Sequence, residues 1–382
     1  SYAATIHALE YLVRKIDNAH VAECVQLTLS SVAPERILAC VSHEGISNSV
    51  KEDWFSRALN SSLGQAVNAQ IYLLARCDEL ELNDGSTSLL DSIEQLIEAS
   101  CNDEVSSNII FAALFSQLNF WVTNHMPFYK SHMESALVNN DVPGHIGSVW
   151  GLSNLNIANR QTWRSLSEVW LKFSVAPCEE LSKPYERIRK YCLFSSIRFD
   201  EKESRSKLLS HFGRTPALVS EAVSAIVHYL NSLDPTDIVE ARNEWAKDDL
   251  FNLIDTEPNF EQGAPLLKRM VTLNEDIASS CIAFMAQRCE WKLDRTILTD
   301  KQLDAVITCC NASKVDIVKV ILMHLKWSRL LQKVQQSCVV YINSKVEAGG
   351  LEEDLIDMAK DVYAYKSIPV PRTPNWQTAR GD

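Results

Sequence analysis

Glycine and proline are scarce, at 11 and 12 residues in a chain of 382, against average shares of about 7% and about 5%. Tight turns are therefore few. The scarcity argues against sandwiches, barrels and propellers, which need a turn signal every ~8 to 12 residues, and against nucleotide-binding α/β folds, which place glycine at strand-to-helix turns. No stretch of about 18 uncharged apolar residues occurs, so no membrane span is expected. The opening residues SYAATIHALEYLVRKID carry charges inside their apolar periodicity rather than the apolar core of a signal peptide. The patterns G-x-x-x-x-G-K-S/T, G-x-S-x-G and G-x-G-x-x-G are absent, so neither a phosphate loop nor a nucleophile elbow is expected. Runs of strict two-residue alternation rich in Val, Ile and Thr are missing too.

What remains is helical. Hydrophobic residues make up 46% of the chain and charged residues 23%, enough for a packed core. Helix starts recur with a side-chain oxygen ahead of proline or a capping partner, as in Thr215-Pro216, Asp234-Pro235, Thr299 with Gln302 and Ser313 with Asp316. Gly45, Gly213 and the Gly349-Gly350 pair follow apolar-periodic runs, where a left-handed C-terminal residue is expected. The reading is all-α: an irregular helical array of about fifteen helices. Helix pairs recur at roughly 35 to 50 residues, compatible with a HEAT-like α-solenoid or a two-lobed helical body.

Charge divides the chain. Residues 1–140 hold 7 basic against 17 acidic side chains, and 141–382 hold 30 against 32. The divide coincides with NNDVPGHIGSVWG at 139–151, the densest cluster of breakers. Expected domains are an acidic N-terminal lobe over 1–142, a C-terminal lobe with basic stripes over 143–366, and an extended Pro-rich tail over 367–382. The eleven cysteines mostly sit in apolar helical patterns, which suits small core hydrophobes in a reducing compartment, cytoplasm or nucleus.

Two segments reverse the overall acidity. Between Lys183 and Arg214 nine basic residues meet four acidic ones, interleaved with Tyr185, Tyr191 and Phe194. Lys183, Arg187 and Lys190 fall on one helical face, followed by Arg198, Lys202 and Arg205. Further on, Lys319, Lys326, Arg329 and Lys333 are spaced for a second stripe beside Trp327. Basic stripes with aromatic neighbours suit a phosphate backbone and stacked bases; a solvated helix face or a protein-docking face explains them as well. In the tail, Pro369, Pro371 and Trp376 are candidates for docking, on this chain's own body or on a neighbour.

The remaining constellations argue against chemistry. His125, His132, Glu134, Asp141 and His145 are close in sequence but lack metal-ligand spacing. Asp248, Asp249, Asp255 and Glu257 lack the spacing of a helical magnesium site. GHIGSVWG at 144–151 follows no strand and carries no lysine, so it reads as a hinge. No catalytic residue, cofactor or metal is expected. The function expected is a non-enzymatic helical scaffold that binds partner proteins or self-associates within a larger assembly. The alternative is a nucleic-acid-binding helical protein, for example an RNA-encapsidating nucleoprotein with an exchanged terminal arm, or a DNA-repair or chromatin scaffold.

Overall fold

The structure, a computed structural model, describes residues 2–46, 52–155, 159–167, 169, 179–199, 202–232, 249–273, 275–289, 291, 297–309 and 312–377. Of these, 79% are helical and none is in a strand. The described residues hold 23 α-helices, more than the periodicity counts. Part of the excess comes from breaks without glycine or proline. Gln117, for example, bends the chain at φ −113°, ψ 24°. Side-chain periodicity carries through such a kink unseen.

The chain folds as two compact units, 1–199 and 200–382. The first opens with α1 (Tyr2–Val13), α2 (Val21–Ser31), α3 (Pro34–His43), α4 (Trp54–Asn60) and α5 (Ser62–Glu79). It continues through α6 (Asn83–Ser100), α7 (Glu104–Ser116), α8 (Leu118–Asn124) and α9 (Met126–Phe128), then a π-helical turn at Tyr129–Met133. It closes with α10 (Glu134–Val138), α11 (His145–Leu152), α12 (Arg160–Ser167) and α13 (Ser182–Arg198). α5 is the hub, packed by α1, α2, α3, α4, α6 and α7. α7 is buried from Ser106 to Phe115, as a helix apolar on nearly all sides must be.

The breaker cluster at 139–151 lies inside this first unit and serves a helix crossing. A Cβ on Gly147 would stand 2.0 Å from the Asn108 carbonyl oxygen, and one on Gly151 2.4 Å from that of Ala112. The Gly147 amide donates to Asn108 Oδ1 at 2.9 Å. Gly144 adopts φ +85° under the Phe111 ring. α11 thus lies backbone-close on α7, and the glycines are contact points where the sequence suggested a hinge.

The second unit contains α14 (Lys202–Phe212), α15 (Pro216–Ser232), a helical stretch at 249–253, α16 (Glu257–Gln262), α17 (Ala264–Met270) and α18 (Glu275–Ala286). α19 (Asp300–Cys309), α20 (Lys314–Trp327), α21 (Gln332–Glu347), α22 (Glu353–Tyr365) and the single turn α23 (Pro374–Gln377) follow. α20 is buried from Ile317 to Leu325 except at Lys319, and packs against α18, α21 and α22. Both N-caps form: Ser313 Oγ accepts the Asp316 amide at 3.1 Å, and Thr299 Oγ1 that of Gln302 at 3.3 Å, the latter completed as a capping box by the Thr299 amide donating to Gln302 Oε1 at 3.0 Å. Thr215 Oγ1 accepts the Leu218 amide at 3.3 Å. Gly45, Gly349 and Gly350 take left-handed backbone, but Gly213 does not: its amide continues α14 by donating to Leu209 O at 2.8 Å. Asp234-Pro235 lies outside the described residues. No single helix among the described residues is long and apolar enough to cross a membrane.

Candidate interaction surfaces

In the first unit α1 buries Ile6, Leu9 and Val13, spaced i, i+3, i+7 and so on one face. α1 packs on α5, which leaves Tyr11 and Leu12 outward, 68% and 44% exposed. Tyr72 of α5 is 42% exposed and lines a cleft of about 180 Å³ with Asn68, Gln117, Phe120 and the Glu10–Arg14 ion pair. Leu27 on α2 and Leu59 on α4 are also exposed. A helix surface that places a tyrosine and a leucine side by side in water, with a second tyrosine at a cleft on the helix it packs against, is suited to a protein contact.

The first basic segment lies on α13 and α14, and α13 packs on α12, which carries two further arginines. Lys183, Arg187 and Arg198 are exposed, as are Arg160 and Arg164 of α12. Arg160 Nη2 donates to Phe199 O at 2.9 Å, and the Arg198 guanidinium lies 5.4 Å from the Phe199 ring centroid. Lys190 spends its charge on Glu186 at 2.5 Å. Arg205, from the second unit, leaves the set: it is 2% exposed, and its Nε donates to Asp249 Oδ2 at 2.7 Å. Lys202 opens α14, and its side chain lies outside the described residues. Tyr185 is buried in the core, so it offers no stacking face.

The second stripe does not form. α20 ends at Trp327, and Ser328 turns to φ −100°, ψ 156°. The Ser328 carbonyl accepts Lys366 Nζ at 3.4 Å, and the Leu331 amide donates to Asp300 Oδ2 at 3.1 Å. These partners hold the chain out of the helix, so Lys319 and Lys326 sit on α20, Arg329 in the connection and Lys333 on α21. In the tail, Trp376 takes one of the two arrangements the sequence leaves open, docking on the chain's own body. Trp376 is 2% exposed, its ring 5.4 Å from that of Tyr363, and Asn375 Nδ2 donates to Val346 O at 3.2 Å and Glu347 O at 3.1 Å. The turn α23 packs back on α21; Pro369 stays exposed and Pro371 is half-buried.

The polar constellations resolve into structural pairs. Asp78 accepts from Ser86 Oγ at 2.8 Å and shares a 2.7 Å hydrogen bond with His125 Nε2. The carboxylate stands between serine and histidine, so it ties α6 and the end of α8 to α5. His132 faces Glu94 at 3.5 Å, and His145 Nδ1 donates to Ala136 O at 2.9 Å. Among the described residues no three His, Cys, Asp or Glu side chains converge as a metal site would require. Asp255 bonds Arg288 Nε at 2.6 Å, so Asp249 and Asp255 each hold an arginine. Cys24, Cys77, Cys192 and Cys338 are buried, and burial raises each thiol pKa.

No protein-family model and no curated protein matches this sequence.

Proposed function

We propose that the protein is a non-enzymatic helical scaffold, working in a reducing compartment of the cell, that docks partner proteins within a larger assembly. The observation that carries this reading is the surface of α1 and α5, where Tyr11 and Leu12 of α1 stand in water and Tyr72 of α5, 42% exposed, lines a shallow cleft. Aromatic side chains with an apolar body and a polar tip are the residues interfaces are built on. An irregular helical array, whether solenoid or two-lobed, suits this role because stacked helices expose much surface per residue.

The test is a comparison of tagged wild-type protein with Tyr11→Ser/Tyr72→Ser, two partly exposed positions whose change leaves the buried face of α1 intact. Partners recovered with the wild type and quantified by mass spectrometry should be lost from the variant, with circular dichroism unchanged. Recovery of the same partners in the same amounts would overturn the reading.

The basic face of α12 and α13 favours a second reading, nucleic-acid binding. Arg160, Arg164, Lys183, Arg187 and Arg198 are exposed on two packed helices, and such a face attracts phosphate whatever the net charge elsewhere.

A further inference from the structure

We propose that the groove between α20 and α22 binds a basic amphipathic helix of a partner protein. The proposal rests on the scaffold reading and names the chemistry of one partner. The groove has a volume of about 620 Å³. Its apolar lining is Leu322 and Met323 of α20 and Val362 of α22, all buried, with the half-buried Met358 and the 65% exposed Tyr365 of α22. Met358, unbranched and partly exposed, makes the lining adaptable to the shape of an apolar side chain.

The rim is acidic and ordered. Asp354, Asp357 and Asp361 line the groove at i, i+3 and i+7 of α22, a row about 10 Å long on one helical face. The basic side chain in the lining, Lys326, lies with its Nζ 4.9 Å from the Trp327 ring centroid. Asp354 and Asp361 are exposed, and Asp357 is half-buried with Lys360 Nζ at 3.3 Å. An apolar lining beside a carboxylate row of helical period is complementary to a helix that carries leucine-like anchors on one face and Lys or Arg at i, i+3/i+4 and i+7 on the flank. The carboxylates are spread along the helix rather than convergent, which suits separate cationic side chains better than one metal ion.

The probe is a synthetic 15-residue amidated helix-forming peptide with Leu at i, i+3 and i+7 and Lys flanking them, and the counterpart is the same peptide with Glu for Lys. Fluorescence anisotropy on the full chain should show the Lys peptide binding and the Glu peptide not. Asp354→Lys/Asp361→Lys should weaken it about tenfold or more, as should Met358→Ser, whereas Asp276→Lys, at an exposed position outside the groove lining, should change nothing. Thermal melts by circular dichroism establish that each variant is folded. Equal binding of both peptides, no binding of either, or unchanged affinity in the aspartate variant would overturn the proposal. So would a dimer of the chain itself, seen by light scattering and abolished by the same aspartate changes, since the occupant would then be a second copy. Failure here leaves the Tyr11/Tyr72 recovery experiment untouched, so the two readings fail separately.

Discussion

His324 lies wholly buried in α20. It donates through Nδ1 to Val320 O at 2.8 Å and accepts the Leu298 amide on Nε2 at 3.1 Å. Those two bonds require the neutral Nδ1–H tautomer, and burial lowers its pKa from 6.5 to about 4. The folded chain therefore takes up this proton less readily than the unfolded one. The stability it contributes is whole above the unfolded value near 6.5 and is lost as pH falls toward 4. Urea unfolding should show a loss of about 2 kcal/mol between pH 6.5 and 5 from this group. His324→Gln should flatten that part of the profile, and an unchanged slope would contradict the assignment. The apolar run VILMHLKW announces this histidine as a core residue. Arg205 gives no such signal: its ion-pair partner Asp249 is 44 residues away, and nothing local separates a buried arginine from one on a solvated face.

Among the elements, capping chemistry was readable because it is local. Ser313, Thr299 and Thr215 each accept the amide three residues on, and three of the four glycines read as helix stops take left-handed backbone. The break after Trp327 was not readable, because the groups that hold it, Lys366 and Asp300, lie in other helices. The glycines of α11 were visible as a cluster, yet their purpose depends on α7 passing within contact of their Cα hydrogens. That purpose predicts a cost. Gly147→Ala would place a methyl group 2.0 Å from backbone at Asn108, and the helices must separate to admit it. Such overpacking costs about 1–3 kcal/mol or more, readable as a fall in urea midpoint with unchanged helical content at neutral pH. A midpoint equal to the wild type would mean that α11 does not cross α7 at this distance. The tail obeys the same logic in reverse. Trp376 has no apolar run around it in sequence, and its core is supplied by Tyr363.

For the molecule as a whole, the all-helical class followed from the scarcity of glycine and proline and from the period of the apolar residues, both summed over the chain. The placement of charge did not follow, because a stripe is a property of a continuous helix and of what packs beside it. Of the basic residues singled out in sequence, Lys183, Arg187 and Arg198 are exposed on a helix packed against α12, which exposes two arginines that the stripe pattern missed. The others are buried, paired, dispersed over several elements or outside the described residues. The surfaces that matter most to the account, the α1/α5 aromatics and the α20/α22 groove, each combine helices whose adjacency no local pattern records. A helix wheel of α1 alone would have marked Tyr11 as outward, but not what it stands beside.

The proposed role, protein docking rather than nucleic-acid binding, is tested by size-exclusion chromatography with light scattering and the 260/280 nm absorbance ratio. Freshly purified protein is run before and after nuclease in high salt, beside Lys183→Glu/Arg187→Glu. The account predicts a protein-like ratio and a mass unchanged by nuclease, salt or the charge reversal. A large particle whose nucleic-acid ratio collapses on nuclease and salt, and which the reversal fails to assemble, would contradict it and make the basic face of α12 and α13 the working surface.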